Sequence, residues 1–138
     1  MGLFVDTNVI LDVFLRRQPF YEESACIWSL CEMGRTPGFI SALSFPNVFY
    51  LLRRAEGYNA ARKGLGIMRD VFTLVPLDSQ ITNQAIDSDI KDFEDAIQFF
   101  SALRVGADSL ITRNPKDFPT DDVPIQTPTE FLSGHFPA

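Results

Sequence analysis

Short apolar runs alternate along this chain with longer stretches in which apolar residues recur at helical spacing. A run that is apolar throughout is typical of a strand buried on both faces, as in a parallel sheet covered by helices. We therefore predict an α/β fold with three layers, α/β/α, around a central, mostly parallel sheet of about four to five strands. With 138 residues, no internal repeat and no linker, residues 1–138 are expected to form one domain.

The same patterns place the individual elements. Strands are predicted at residues 2–5, 39–43, 71–77, 109–112 and, as an edge strand, 123–125. Helices are predicted at residues 8–15, 21–33, 44–55, 59–70, 78–87, 92–105 and, as a last turn, 129–132. Ser44 is expected to be the N-cap of the third helix.

The charge balance limits the partners of the chain. Twelve Lys and Arg stand against eighteen Asp and Glu, which gives a formal charge of −6. A surface that is basic overall, as in proteins that coat nucleic acid, is therefore excluded. Three basic pairs are open to two interpretations, a solvated face or a rim that contacts phosphates: Arg16–Arg17, Arg53–Arg54 and Arg62–Lys63.

Other compositional features predict the compartment. No apolar run approaches the roughly 20 residues needed to cross a bilayer, and the first residues lack a secretory pattern. We therefore expect a cytoplasmic protein with no membrane partner. Cys26 and Cys31 are too few for a disulfide framework or a zinc site, and both are expected to be buried thiols.

Polar residues gather directly after the predicted strands. Because the carboxyl ends of parallel strands meet at one edge of a sheet, sites form outside that edge. The residues that follow these strands or open the helix before the fourth strand are Asp6, Thr7, Asn8, Ser41, Ser44, Asn47, Asp92, Asp95, Thr112, Arg113, Asn114 and Asp117. The sequence therefore predicts that acids and amides converge at this edge.

Each acid has two interpretations when it is taken alone. Asp6 is either a metal ligand or the N-cap of the helix that follows it. Asp92 and Asp95 share a helix face, and they either take part in catalysis or cap the helix and complement its dipole. Carboxylates that converge from different elements repel one another unless a divalent cation neutralises them, so the combination favours a metal site.

An oxygen-rich site without a Cys/His cluster indicates Mg²⁺ or Mn²⁺. Such an ion polarises water for attack on a phosphodiester and offsets the charge on the phosphorus. A Ser-His-Asp site is not indicated, because the only histidine is His135 near the C-terminus. A phosphatase of the haloacid-dehalogenase type, with Asp6 as nucleophile, is an alternative, but that type requires a second Asp where this chain has Asn8.

Three segments resemble, in their order and spacing, the PIN domain family, and in particular its small VapC-type ribonuclease toxins. The segments are VDTNVILDVFL at residues 5–15, DFEDAIQFFSAL at residues 92–103 and LITRNPKDF at residues 110–118. The resemblance implies a three-layer α/β/α fold. It also implies an endoribonuclease that uses Mg²⁺ or Mn²⁺ at a cluster of acids.

The resemblance also assigns roles to particular positions. It places the family's first acid at Asp6 and its third at Asp95, so that these two residues would hold the metal. Thr7 and Asn8 match the polar pair that follows the first acid in many members. Thr112 matches the threonine that orients the site after the fourth strand.

Two positions depart from the family pattern. Glu is usual where this chain has Asn47, and the family's fourth, more variable acid falls where this chain has Asn114. Asn47 can still offer a carbonyl oxygen, but it brings no negative charge. The residues that could compensate for the lost charge are Asp92, Asp117 and Asp12. A chain with weakened catalysis would instead act as an RNA- or protein-binding module, and this alternative stays open.

The leading hypothesis is a PIN-like endoribonuclease, with partners that the resemblance implies. Asp92 and Asn47 would position water around the metal, Asn114 would help Thr112 to orient the site, and Arg113 would hold substrate phosphates. The expected partners are an RNA substrate, a small antitoxin whose basic segment suits the charge of −6, and a second copy in a homodimer.

Overall fold

The computed structural model describes residues 1–119 and 122–135, and it has the predicted α/β/α arrangement. The strands are β1 (Leu3–Val5), β2 (Gly38–Ser41), β3 (Thr73–Val75), β4 (Ser109–Ile111) and β5 (Ile125–Gln126). The helices are α1 (Thr7–Phe14), α2 (Tyr21–Glu32), α3 (Ser44–Glu56), α4 (Tyr58–Val71), α5 (Ser79–Asp87), α6 (Phe93–Arg104) and α7 (Pro128–His135). A short 3-10 helix, Pro115–Asp117, follows β4.

The sheet places β1 at its centre. The strand order is β3-β2-β1-β4-β5, and every neighbouring pair is parallel. β1 pairs with β2 on one side and with β4 on the other, where Val5 is aligned with Ile111. Because all the strands run in one direction, the residues that follow β1, β2 and β4 lie at a common edge, as the sequence predicts.

Alternating side chains of β1 divide the core into two halves. Leu3 and Val5 pack into a cluster with residues of α1, α2, α3, α4 and α7. Phe4 points to the opposite face and packs into a second cluster with residues of α5 and α6. All three side chains are at most 2% exposed, so β1 is buried on both faces and the sheet has a helical layer on each side.

Several element boundaries differ from the predicted ones. The third strand is predicted at residues 71–77 but covers only Thr73–Val75, because α4 continues to Val71. The fifth strand is an edge strand, as predicted, but it is Ile125–Gln126 rather than residues 123–125. Among the described residues, none of the helices combines the length and the apolar character that crossing a bilayer requires.

Two predictions about single residues are wrong. Ser44 does not cap α3, because the helix begins at Ser44 itself and its hydroxyl lies 2.6 Å from Oγ1 of Thr7. Cys26 is exposed, whereas Cys31 is buried as expected, and both are free thiols. Burial raises the pKa of the Cys31 thiol to about 11, so this thiol stays protonated at neutral pH.

Candidate active site

Asp6 directly follows β1, and its carboxylate is held by two hydrogen bonds. Its Oδ1 accepts from the backbone N–H of Thr7 at 2.7 Å, which makes Asp6 the N-cap of α1. Its Oδ2 accepts from Oγ1 of Thr112, just after β4, at 2.8 Å. Asp6 is only 6% exposed, and this burial raises its pKa to about 6, although the two hydrogen bonds lower it. The carboxylate is therefore fixed in place but costly to ionise.

Asp92 and Asp95 lie at the start of α6. Asp92 is the N-cap, since its Oδ1 accepts from the backbone N–H of Asp95 at 3.0 Å. The half-buried carboxylate of Asp95 accepts no hydrogen bond from the part of the chain that the structure describes. Burial, followed by the charges of Asp6 and Asp92, raises the pKa of Asp95 to about 7. A nearby cation would relieve this unfavourable electrostatic state.

A cavity of about 430 Å³ opens between α1, α3 and α6. It brings together six of the residues predicted from the sequence, and these are Asp6, Thr7, Asn8, Asn47, Asp92 and Asp95. Its volume lies in the range of small-molecule binding sites, roughly 300–1,000 Å³. Here and below, this space is called the acidic cavity.

Glu94 is the acid that the sequence analysis missed. It lines the acidic cavity, and its Oε2 accepts a hydrogen bond from Nδ2 of Asn47 at 3.1 Å. Its charge helps to raise the pKa values of Asp6 and Asp95. A carboxylate from α6 thus lies directly against the amide of Asn47, the residue that the resemblance aligns with a family Glu. The sequence signal that could have identified Glu94 is its place in the first turn of α6, next to Asp95.

A hydrogen-bonded group next to the cavity fixes Thr7. Oγ1 of Thr7 lies 2.6 Å from Oγ of Ser44 and accepts from Nε2 of Gln98 at 3.1 Å. Ser44 and Gln98 are buried, and the sequence analysis had not singled out Gln98. These three side chains connect α1, α3 and α6, the elements that carry the acids and amides.

A second cavity, of about 730 Å³, adjoins the first at Asp92 and Asp95, which line both. We call it the large cavity. Asp117 also lines it, and its charge contributes to the raised pKa of Asp95. Asn114 lines neither of these two cavities: it is exposed, and its backbone N–H donates to Oγ1 of Thr112 at 3.2 Å.

Arg113 and Asp12 lie outside both cavities. Nε of Arg113 is 2.9 Å from Oδ2 of the fully buried Asp12, and the guanidinium carbon is 4.3 Å from the centre of the Phe20 ring. Arg17 makes a longer ion pair with Asp12, at 3.9 Å. Arg113 therefore contacts residues of the fold itself. Neither Arg113 nor Asp12 lines the cavities that hold the acids at the strand ends.

The side chains around the acidic cavity fit a divalent cation. The carboxylates of Asp6 and Asp95 have raised pKa values, and the buried Oδ1 of Asn8 has no hydrogen-bond partner among the described residues. Within residues 1–119 and 122–135, no three His, Cys, Asp or Glu side chains form a complete set of metal ligands. Two carboxylates and one amide oxygen are available as donors, and Mg²⁺ usually takes only one or two carboxylates from a protein and keeps several waters.

Comparison with known proteins identifies the family of this chain. The chain matches the sequence model of the PIN domain family over residues 3–116. A relative, Ribonuclease VapC1 of Aquifex aeolicus (strain VF5), is 27% identical over 137 residues, which cover 94% of this chain and 92% of that protein.

Solved structures share the fold. VapBC2 from Rickettsia felis, bound to a DNA fragment from its promoter, matches with a TM-score of 0.70 at 14% identity, over 92% of this chain and 98% of that chain. A toxin-antitoxin complex from Klebsiella pneumoniae matches with a TM-score of 0.67 at 24% identity, over 93% of this chain and 98% of that chain. The predicted three-layer architecture is confirmed.

Proposed function

Because this chain belongs to the PIN domain family, we propose that it is a divalent-metal-dependent endoribonuclease that hydrolyses RNA phosphodiester bonds. The observation that carries the proposal is the meeting of Asp6 and Asp95 in one cavity, where the charge of Asp6 raises the pKa of Asp95. The relative named Ribonuclease VapC1 supports RNA as the substrate.

Asp6 and Asp95 would hold Mg²⁺ or Mn²⁺, with Oδ1 of Asn8 as a further oxygen. When bound, the cation lowers the pKa of water and offsets the negative charge of the phosphate. Thr112 and the backbone N–H of Thr7 each hold one oxygen of Asp6, so this carboxylate is oriented before any ligand arrives.

Glu94 would supply the negative charge that Asn47 lacks. Nδ2 of Asn47 donates a hydrogen bond to Oε2 of Glu94 at 3.1 Å, so the negative charge of Glu94 lies next to the amide of Asn47. Asp92, which lines both cavities, would add a negative charge in the acidic cavity, and Asp117 would add one in the large cavity. Each such charge strengthens the attraction for a divalent cation by roughly 1 kcal/mol in a partly buried site.

The test combines calorimetric titration with Mn²⁺ and an RNA cleavage assay. The wild-type protein is expected to bind Mn²⁺ and to cut RNA, whereas Asp6→Ala and Asp95→Ala are expected to lose both properties. Asp70→Ala, an exposed site on α4 outside both cavities, is the matched control and is expected to keep both. Unchanged Mn²⁺ binding in both site variants would contradict the proposal.

The partner that we propose is a small antitoxin, with this chain as the cytoplasmic toxin of the pair. The support is the net charge of −6, which suits a basic segment, and the toxin-antitoxin complex among the structures of the same fold. The neighbouring reading frame provides the test: its product should co-purify with this chain and inhibit RNA cleavage. Light scattering on the purified chain tests the expected homodimer.

One observation favours a second candidate, a binding module with weakened catalysis. It is the lack, in the described part of the chain, of a group of three or more metal-ligating side chains. A binding module would retain RNA or a protein partner without cutting RNA at any Mn²⁺ concentration. Cleavage that saturates with Mn²⁺ and is lost in Asp95→Ala would reject this candidate.

A further inference from the structure

Gln98 carries a buried amide one helical turn after Asp95. Both residues line the acidic cavity, because positions three apart lie on the same face of α6. Only 2% of Gln98 is exposed, although glutamine is found mostly at protein surfaces. Buried amides normally have partners for both of their polar atoms, so each atom of this side chain requires an explanation.

The amide nitrogen of Gln98 has a partner. Nε2 donates to Oγ1 of Thr7 at 3.1 Å, and the same Oγ1 lies 2.6 Å from Oγ of Ser44. The backbone N–H of Thr7 in turn donates to Oδ1 of Asp6 at 2.7 Å. Gln98 therefore contacts the residue whose backbone orients the Asp6 carboxylate.

The amide oxygen of Gln98 lacks a partner. Oε1 is buried, and it accepts no hydrogen bond from the part of the chain that the structure describes. The nearby carboxylates of the cavity cannot supply one, because an ionised carboxylate only accepts hydrogen bonds. An unsatisfied buried acceptor destabilises the fold, and a donor that enters the cavity would remove this cost.

A water molecule held by a divalent cation is the donor that suits this position. Mg²⁺ and Mn²⁺ keep several waters when one or two carboxylates bind them, and the positive charge makes these waters strong donors. Side chains that hydrogen-bond the ligands of a metal orient those ligands and raise the affinity of the site. Oε1 of Gln98 is a free acceptor in the cavity that Asp6 and Asp95 share.

We propose that Gln98 is a positioning residue of the acidic cavity, in which Nε2 fixes Thr7 and Oε1 accepts a hydrogen bond from a water held by the cation. This inference rests on the proposed function and adds a residue to its site. A purely structural Gln98 would only connect α6 to α1 through Thr7. The two roles predict opposite results when both polar atoms of the amide are removed.

The test compares the stability of Gln98→Met with its affinity for Mn²⁺. Methionine has a similar length and no amide, so it removes the unsatisfied oxygen, while Thr7 keeps its contact with Ser44. The metal-free variant is expected to unfold at the same urea concentration as the wild type or at a higher one. Its affinity for Mn²⁺, measured by calorimetric titration, is expected to fall by about tenfold to a hundredfold. A purely structural role predicts lower stability with an unchanged affinity of the folded protein.

Gln98→Glu tests which atom of the amide the site requires. The carboxylate keeps one oxygen as an acceptor, and Thr7 can donate its hydroxyl proton to the other. We expect an affinity for Mn²⁺ at least equal to that of the wild type, because the acceptor remains and a negative charge is added. An affinity as low as that of Gln98→Met would mean that the site requires Nε2, and it would overturn the role of Oε1.

The relaxation of water protons by bound Mn²⁺ provides a spectroscopic readout. At saturating Mn²⁺, the water on the cation is expected to exchange faster in Gln98→Met than in the wild type. Ser101→Ala is the matched control, because Ser101 is a buried polar residue one turn further along α6 and lines neither cavity. Its hydroxyl donates to the carbonyl oxygen of Ile97 at 2.7 Å, so the control is expected to change stability without changing Mn²⁺ affinity or water exchange.

Two results would overturn the inference alone: RNA cleavage with wild-type Mn²⁺ affinity in Gln98→Met, and equal weakening of Mn²⁺ binding in Ser101→Ala. If Gln98→Met loses affinity as described but the wild-type protein with Mn²⁺ never cuts RNA, the proposed function fails and the role of Gln98 stands. A wild-type protein that does not bind Mn²⁺ would contradict both.

Discussion

Thr112 donates a hydrogen bond to Asp6, with 2.8 Å between Oγ1 and Oδ2, and this bond links the carboxyl ends of β4 and β1. Both residues are buried, and Oγ1 of Thr112 in turn accepts from the backbone N–H of Asn114. One hydroxyl thus orients the carboxylate and the loop that follows β4. The geometry of the candidate site therefore depends on the pairing of two strands that are far apart in the sequence.

We expect Thr112→Val to destabilise the protein at neutral pH. Valine has nearly the same shape but donates no hydrogen bond, so the buried Asp6 carboxylate would lose one of its two partners. Hydrogen bonds to charged groups contribute about 1.5–3 kcal/mol, and the free energy of unfolding should fall by about that amount. Urea denaturation at pH 8 measures the change. Thr112→Ser is expected to stay close to wild type, and an equal loss in both variants would indicate a packing effect instead.

We expect Glu94→Gln to weaken Mn²⁺ binding by about tenfold, which corresponds to about 1.4 kcal/mol. Glutamine can still accept the hydrogen bond from Asn47, so the variant removes the charge and leaves the contact. Isothermal titration calorimetry provides the measurement. An affinity equal to that of the wild type would show that Glu94 does not contribute to the metal site.

A charge relocation sharpens this test. The double variant Asn47→Asp with Glu94→Gln keeps the hydrogen bond with donor and acceptor exchanged, and it returns the negative charge to α3. We expect it to recover the Mn²⁺ affinity that Glu94→Gln loses, because the total charge around the cavity is the same as in the wild type. Failure to recover would mean that the position of the charge, and not its presence, decides binding.

We expect Asp95→Asn to stabilise the metal-free protein at alkaline pH. The pKa of Asp95 is raised from 3.8 to about 7, so between these values the folded state binds more protons than the unfolded state. Its contribution to the free energy of unfolding therefore decreases as the pH rises through this window. The variant should exceed the wild type by about 1–2 kcal/mol at pH 8, an amount reduced for solvent screening.

The stability difference between Asp95→Asn and the wild type should shrink as the pH is lowered toward 4, because the carboxyl of Asp95 then becomes protonated in the unfolded state as well as in the folded state. Urea denaturation across the pH range, in the presence of a chelator, follows the difference. Asp70→Asn, an exposed site outside both cavities, is the control and should show no such trend. A constant difference at all pH values would rule out ionisation as its cause.

We expect Arg113→Ala to lower the free energy of unfolding. The substitution leaves the fully buried Asp12 with only the longer ion pair to Arg17, at 3.9 Å. Removing one partner of a buried ion pair costs about 3–5 kcal/mol, and Asp12→Asn in the same protein should recover much of this loss. Thermal denaturation of the two variants makes the comparison. A higher KM for RNA without any loss of stability would instead support the phosphate-binding role predicted from the sequence.

The central features of the fold follow from local sequence patterns. An apolar run that ends at Asp6 and another that ends at Thr112 indicate two buried strands, and the carboxyl ends of parallel strands meet at one edge. The PIN domain motifs place Asp95 in the same region. These inferences need only the position of a residue relative to its own strand or helix, and the structure hydrogen-bonds Asp6 to Thr112 and places it in one cavity with Asp95.

Contacts between helices that are distant in the sequence were harder to predict. The hydrogen bond between Asn47 and Glu94 joins α3 to α6 across the end of the sheet, and no periodic pattern encodes it. Ser44 has the chemistry of an N-cap, but its hydroxyl bonds to Thr7 because α1 and α3 pack there. In both cases the tertiary partner decides what a polar side chain does, and local propensity does not.

The central position of β1 also sets when the carboxylate of Asp6 can be oriented during synthesis. β1 leaves the ribosome well before one of its partners in the sheet, β4, because Asp6 and Thr112 are 106 residues apart in the sequence. Until Thr112 has emerged, Asp6 lacks the hydroxyl that orients it. A nascent chain that stops before Thr112 therefore holds its acids without the hydrogen bond that orients Asp6, and the geometry of the candidate site forms only after β4 has been made.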